Sequence, residues 1–309
     1  MPTTTDPLVA LEDAARAATL AARSATVSIG RDGRGSGVVI GPGAVLTNAH
    51  NLRDRTTSVT FADGRVEQGA VAGVDAAGDL AVLTVDTAET APIEWSTEQP
   101  SEGSVVFGAS AGRQGSRVSL GVVSGTGRTF RGPRGRLISE SLEHTAPLAR
   151  GSSGGPLVDR TGRLVGVNTH RLGEGFYLAV RADDELHRRI DALAAGESPT
   201  PLTLGIAIAP PHVARRLRAS VGLDERDGLL VRSVEVDGPA DRAGIRQGDL
   251  VVGAGGAPTA TPDALFEALG RHDASTPLAV DLVRGAEEIT VSVEFETGTK
   301  AEADTETEE

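Results

Sequence analysis

The chain has 309 residues, 39% of them apolar and 24% charged, which is enough for about two packed domains and too apolar for wholesale disorder. Its 30 basic and 43 acidic residues give a formal charge of −13, which argues against a nucleic-acid partner because phosphate neutralisation needs a basic surface. It has no cysteine, which excludes a disulfide framework, a thiol nucleophile and a thiolate zinc site.

The N-terminal segment 1–24 reads as a short helix. Asp6 caps it, Pro7 fits its first turn, and Leu8, Leu11, Ala15, Ala18 and Ala22 follow one helical stripe. It opens with neither a basic region nor an apolar core of the signal-peptide kind, and no run in the chain approaches the roughly 18 apolar residues of a spanning helix. A cytoplasmic location is the expectation, with export by another route left open.

Between 25 and 195 short Val/Ile/Leu runs alternate with Gly, Asp and Asn, as in Gly37–Gly41, Ala44–Thr47, Leu80–Leu83, Ser104–Phe107 and Arg163–Val167. Asp63-Gly64 and Thr161-Gly162 mark hairpin turns. Many short strands at close spacing indicate a mainly β barrel or sandwich. The segment 181–195 reads as a helix with Leu186, Ile190 and Leu193 on its apolar face, stopped by Gly196. The Pro-containing stretch 196–201 is a linker. A second domain at 202–298 mixes helices (211–220 and 262–270, the latter capped by Thr261) with strands (229–234, 278–283 and 289–295). The tail 299–309 is acidic and expected to be disordered.

Chemistry concentrates in three blocks. In Arg150-Gly151-Ser152-Ser153-Gly154-Gly155-Pro156 glycines let the backbone turn sharply, which brings the amides of Gly151 and Ser153 to one developing oxyanion and exposes Ser153 as nucleophile. Taken alone, a Gly-Ser turn explains the run equally well. A serine needs a base, and Thr47-Asn48-Ala49-His50 ends a strand with one. The imidazole needs an orienting acid, and Asp79 stands directly before the apolar run Leu80–Leu83, with Asp75 close by.

In the order His50, Asp79, Ser153 these blocks resemble those of chymotrypsin-fold serine proteases. Within that clan Gly35–Ile40, Gly121–Arg128, Gly166–Thr169 and Gly175–Val180 resemble the HtrA/DegP family. Leu204-Gly205-Ile206, Gly228–Val231 and Gly238–Val251 resemble its PDZ domain. The resemblance covers about residues 27–297. It implies a chymotrypsin-like double β-barrel followed by a small α+β PDZ domain. It also implies a serine endopeptidase acting on unfolded or misfolded polypeptides in protein quality control and the stress response. Gly228 would open the loop holding a peptide's terminal carboxylate, with Leu229, Leu230 and Val231 as the strand the peptide joins and Leu265 in the groove. Homotrimers are usual in the family, packed through aromatics near the start of the protease domain, but the segment before Gly35 contains none. Asn51 stands where the family commonly has Val, a difference expected to be neutral.

Relatives that cut after Arg or Lys carry an Asp six residues before the nucleophile. Pro147 occupies that place here, and Leu148 with Asn168, Thr169 and His170 suggests an apolar primary pocket. The Arg-rich stretch Arg128–Arg136 corresponds to a loop that relays PDZ occupancy in the family. Its plain reading is an exposed loop. His187, His212 and His272 read as exposed, and His144 as packed near the nucleophile loop. No histidine pair has metal-site spacing and no phosphate loop precedes a helix, so no cofactor is expected. A catalytically silent peptide-binding scaffold is the alternative reading.

Overall fold

The computed structural model describes residues 6–31, 33–112, 115–131, 137–198, 202–209 and 211–295. The acidic tail, the end of the linker and residues 132–136 of the Arg-rich stretch therefore lie outside the described residues. The chain divides into two compact units, Met1–Thr200 and Pro201–Glu309.

The first unit begins with α1 (Pro7–Ala25), where the Asp6 side chain accepts from the Leu8 amide at 2.9 Å. Only the C-terminal half of its stripe is covered: Ala18, Ala22 and Ala25 are buried, whereas Leu8 and Leu11 are 71% and 48% exposed. The stripe therefore extends beyond the surface that covers it. Alanines permit close approach. Gly162, in a turn with φ +84°, lies so near the helix that a Cβ there would sit 2.6 Å from that of Ala21.

Strands β1 (Thr26–Ile29), β2 (Gly35–Gly41), β3 (Ala44–Thr47), β4 (Thr56–Thr60), β5 (Val66–Asp75) and β6 (Leu80–Thr84) close a barrel in the order β1-β2-β3-β6-β5-β4. A second barrel closes in the order β10-β11-β12-β9-β8-β7, from β7 (Val105–Gly112), β8 (Gly115–Arg131), β9 (Leu137–His144), β10 (Pro156–Asp159), β11 (Leu164–Gly173) and β12 (Phe176–Arg181). Closure leaves neither barrel an open edge. Val39, Val45, Val59 and Leu83 fill the first barrel, and Val106, Leu142, Leu157 and Val165 the second. The alternate residues Val38, Leu46 and Val82 join Phe107, Val158 and Val167 in one cluster between the barrels. Burial on both faces explains why these strands read as unbroken apolar runs. Helix α2 (Asp184–Ala194) adds Leu186, Ile190 and Leu193 to that cluster, and Asp183 caps it by accepting from the Leu186 amide at 2.9 Å.

The second unit contains β13 (Ile206–Ala209), α3 (Pro211–Ser220), β14 (Leu229–Val234), α4 (Pro239–Arg242), β15 (Leu250–Ala254), β16 (Ala257–Pro258), α5 (Pro262–Arg271), β17 (Leu278–Arg284) and β18 (Glu287–Val293). Its sheet runs β13-β14-β15-β17-β18. This order corrects the expected peptide groove. Leu230 pairs with Ala209 on one side and Leu250 on the other, and Val231 pairs with Ile208, so β14 is an interior strand with no edge to offer. Leu229, Val231 and Leu265 belong to the unit's core, and Gly228 is buried against the Val251 carbonyl. The described edge strands are β13, β18 and the two-residue β16, which pairs with β15. Among the described residues no helix is long and apolar enough to cross a membrane.

Candidate active site

Strand β3 ends at Thr47, and a 3-10 turn at Ala49–Asn51 carries His50. Strand β6 starts one residue after Asp79, which has φ 56°. That left-handed conformation costs a non-glycine residue about 1–2 kcal/mol, and three contacts offset it. The Asp79 carbonyl accepts from the Asn48 side chain at 2.7 Å and from the Ala49 amide at 3.2 Å, while Oδ1 accepts from the His50 amide at 3.0 Å. The turn before it is shaped by Asp75, whose Oδ1 accepts from the amides of Ala77 and Gly78 and whose Oδ2 accepts from Arg189 of α2 at 2.6 Å. Gly78 makes this ion pair sterically feasible, since a Cβ there would lie 1.7 Å from the guanidinium.

Asp79 is 2% exposed, so its charge must be met by hydrogen bonds. Its Oδ2 accepts from His50 Nδ1 at 2.7 Å and from the Thr169 hydroxyl at 3.2 Å. A carboxylate acceptor places the imidazole proton on Nδ1 and leaves Nε2 with a free lone pair. Asp75, the other carboxylate in this stretch, faces Arg189 instead.

Gly151 (φ 83°) and Gly154 (φ 87°) supply the bends of the serine loop. A Cβ at Gly154 would meet the Ser36 carbonyl at 2.1 Å, which is how closely the loop lies on β2. The first barrel grips the loop by its carbonyls. The Gly151 carbonyl accepts from the Ser36 hydroxyl at 2.7 Å, and the Ser153 carbonyl accepts from the Ser36 amide at 2.9 Å and from the Asn51 side chain at 2.8 Å. Among the described residues the amides of Gly151 and Ser153 donate to no acceptor. The Ser153 hydroxyl donates to the Thr169 carbonyl at 3.0 Å.

The four residues expected in the primary pocket separate. Leu148 is half-buried and leans on β7, where a Cβ at Gly108 would come within 2.8 Å of it. Asn168 is occupied internally, its Nδ2 donating to the Pro156 carbonyl at 3.1 Å and its Oδ1 lying 3.0 Å from His144 Nε2. Thr169 directs its hydroxyl to Asp79. His170 is exposed and stacks on Phe130 at 5.7 Å. His144 is wholly buried, and burial pushes its pKa down to about 4 against the opposing effect of the Asn168 hydrogen bond. Because Asn168 Nδ2 faces Pro156, its oxygen faces His144, so Nε2 carries the proton and Nδ1 has no partner among the described residues.

The sequence places Ser36 in a family block, Asn51 as a neutral difference and Thr169 in the pocket, but it does not show the bonds they make, because their partners lie far along the chain.

Residues 35–167 match the trypsin-like peptidase domain family and residues 215–295 the PDZ domain family. The chain is 30% identical over 281 residues to serine endoprotease DegS of Escherichia coli, covering 84% of this chain and 75% of DegS. It is 30% identical over 270 residues to HhoB of Synechocystis sp., covering 82% of this chain and 64% of HhoB. Among solved structures, the serine endoprotease from Yersinia pestis superposes with a TM-score of 0.68 at 26% identity, over 90% of this chain and 96% of that one. Two closed barrels that pair a histidine with a buried aspartate and carry a serine on a glycine-bent loop, an antiparallel PDZ unit after them and relatives matched across both place this chain in the HtrA/Deg family of trypsin-like serine proteases.

Proposed function

We propose that the protein is an endopeptidase in which Ser153 is the nucleophile, His50 the general base and Asp79 the orienting acid. The observation that carries this reading is the 2.7 Å contact between His50 Nδ1 and the buried Asp79 carboxylate, next to the strand residue that receives the Ser153 hydroxyl. Ser153 Oγ attacks the carbonyl carbon of a peptide bond, and its proton passes to His50 Nε2. The oxyanion lies between the amides of Gly151 and Ser153, each such donor typically worth about 3–4 kcal/mol of barrier. The C–N bond breaks as His50 returns the proton to the amine. Water then attacks the acyl-enzyme with His50 again as base, releasing the acid and restoring Ser153.

The substrates proposed are unfolded polypeptides, whose extended segments leave their peptide bonds accessible to the Ser153 hydroxyl. Peptide C-termini are assigned to the second unit. Among the described residues strand β13 pairs only with β14, which leaves its other side to add a peptide strand, and Gly205 (φ 71°) turns the chain into it. Peptides with a free C-terminus are expected to bind and their C-terminal amides to bind poorly.

Casein digestion by the native protein and by Ser153→Ala tests the catalytic reading. Loss of digestion in the variant is expected. Equal digestion by both would assign the activity to a contaminant and remove the reading.

A further inference from the structure

We propose that Asn51 is a positioning residue that sets Ser153 against His50. The inference rests on the triad reading above and adds a part to it. Asn51 follows His50 directly in the same 3-10 turn. Its side chain is buried, and Nδ2 donates to the Ser153 carbonyl at 2.8 Å and to the Thr47 hydroxyl at 3.0 Å, with the Ser36 carbonyl at 3.5 Å. One side chain thus ties the base-bearing turn of the first barrel to the main chain of the nucleophile, 102 residues away. A valine at this position has no N–H to make these bonds, so the proposal runs against the expectation of a neutral difference.

The surroundings are shaped for the amide. A Cβ at Gly35 would lie 2.1 Å from Asn51 Cγ, so this glycine vacates the space the amide fills. The Ser153 carbonyl is also held by the Ser36 amide. Ser36 belongs to β2, however, whereas Asn51 sits in the turn with His50, so among the described residues the Asn51 bond is the one that ties the serine main chain directly to the base-bearing turn. Displacements of about 1 Å in such a relationship cost on the order of a hundredfold in rate.

The test compares native protein with Asn51→Val, Gly35→Ala and the double variant. Gly35→Ala keeps the amide but drives it off the Ser153 carbonyl. For each protein kcat and KM on a short reporter peptide, the rate of labelling by a serine-directed phosphonate, and Tm are measured. Either single variant is expected to lower kcat and the labelling rate by about ten- to hundredfold with KM within about twofold. The double variant is expected to be no slower than the slower single one, because both changes remove one contact. If Asn51→Val does not fold, Gly35→Ala decides the matter alone. Native kcat in a folded single variant, a change confined to KM, or multiplying effects in the double variant would overturn the proposal. Ser153→Ala is run alongside. Turnover surviving in that variant would mean that the triad reading had failed, independently of Asn51.

Discussion

Thr169 touches two members of the site at once: its carbonyl accepts from the Ser153 hydroxyl at 3.0 Å, and its own hydroxyl donates to Asp79 at 3.2 Å. The serine proton is therefore directed at the main chain in this state, and passing it to His50 requires the hydroxyl to give up a neutral hydrogen bond of about 1 kcal/mol. Thr169→Val keeps the carbonyl and the side-chain shape but removes a donor to a charged carboxylate, a bond worth about 1.5–3 kcal/mol. The expected result is a fall in kcat/KM of about ten- to hundredfold. Unchanged kinetics would show that Asp79 does not depend on this hydroxyl.

The two aspartates of the β5–β6 turn should respond differently. Asp79→Asn is expected to lower turnover by up to about ten-thousand-fold with the fold retained, because the imidazole loses its orienting charge. Asp75→Asn can still cap its turn but no longer neutralises Arg189, a partly buried pair. It is expected to cost about 1–2 kcal/mol of stability and to leave kcat within a few-fold. Kinetics and urea unfolding of both variants check this. The reverse pattern would make Asp75 the group that orients the base.

His144 predicts a pH dependence of stability. Its folded pKa of about 4 lies below the usual 6.5, so between those values the unfolded chain binds the extra proton and the folded one does not. Stability therefore rises with pH across this window, is fully present above about pH 6.5 and is lost as pH falls toward 4. The contribution is on the order of 3 kcal/mol. Comparing urea unfolding of native protein and His144→Gln at pH 7 and pH 4.5 isolates it from the carboxylates common to both. The native protein should lose more stability on acidification, and equal losses would contradict the assignment.

Cleavage is expected after small or medium aliphatic residues. Pro147, six residues before the nucleophile, supplies no counter-charge for a basic side chain. A panel of peptides varied at the residue before the scissile bond checks this. Preference for Arg there would contradict it.

Local patterns carried much of this architecture. Turn pairs such as Asp63-Gly64, the Thr261 cap and the leucines of α2 are readable because their partners lie within a few residues. His50 and Asp79 stood out because each sits at the end of a strand-like run. The groove of the second unit was misread for a physical reason. Gly228–Val231 looks like any apolar strand, and whether a strand is an edge depends on pairing with segments far along the chain. The part played by Asn51 was hidden likewise, since its partner Ser153 is adjacent only once two barrels have closed. The exposure of Leu8 and Leu11 was hidden because a stripe records a face, not how far its cover extends.

The most direct measurement is mass-spectrometric mapping of a serine-directed phosphonate on the native protein, with labelling rates for His50→Ala and Ser153→Ala. The triad assignment predicts one adduct, on Ser153, formed at least about a hundredfold more slowly without the imidazole and absent in Ser153→Ala. An adduct on another residue, or a His50→Ala protein labelled as fast as the native one, would contradict it.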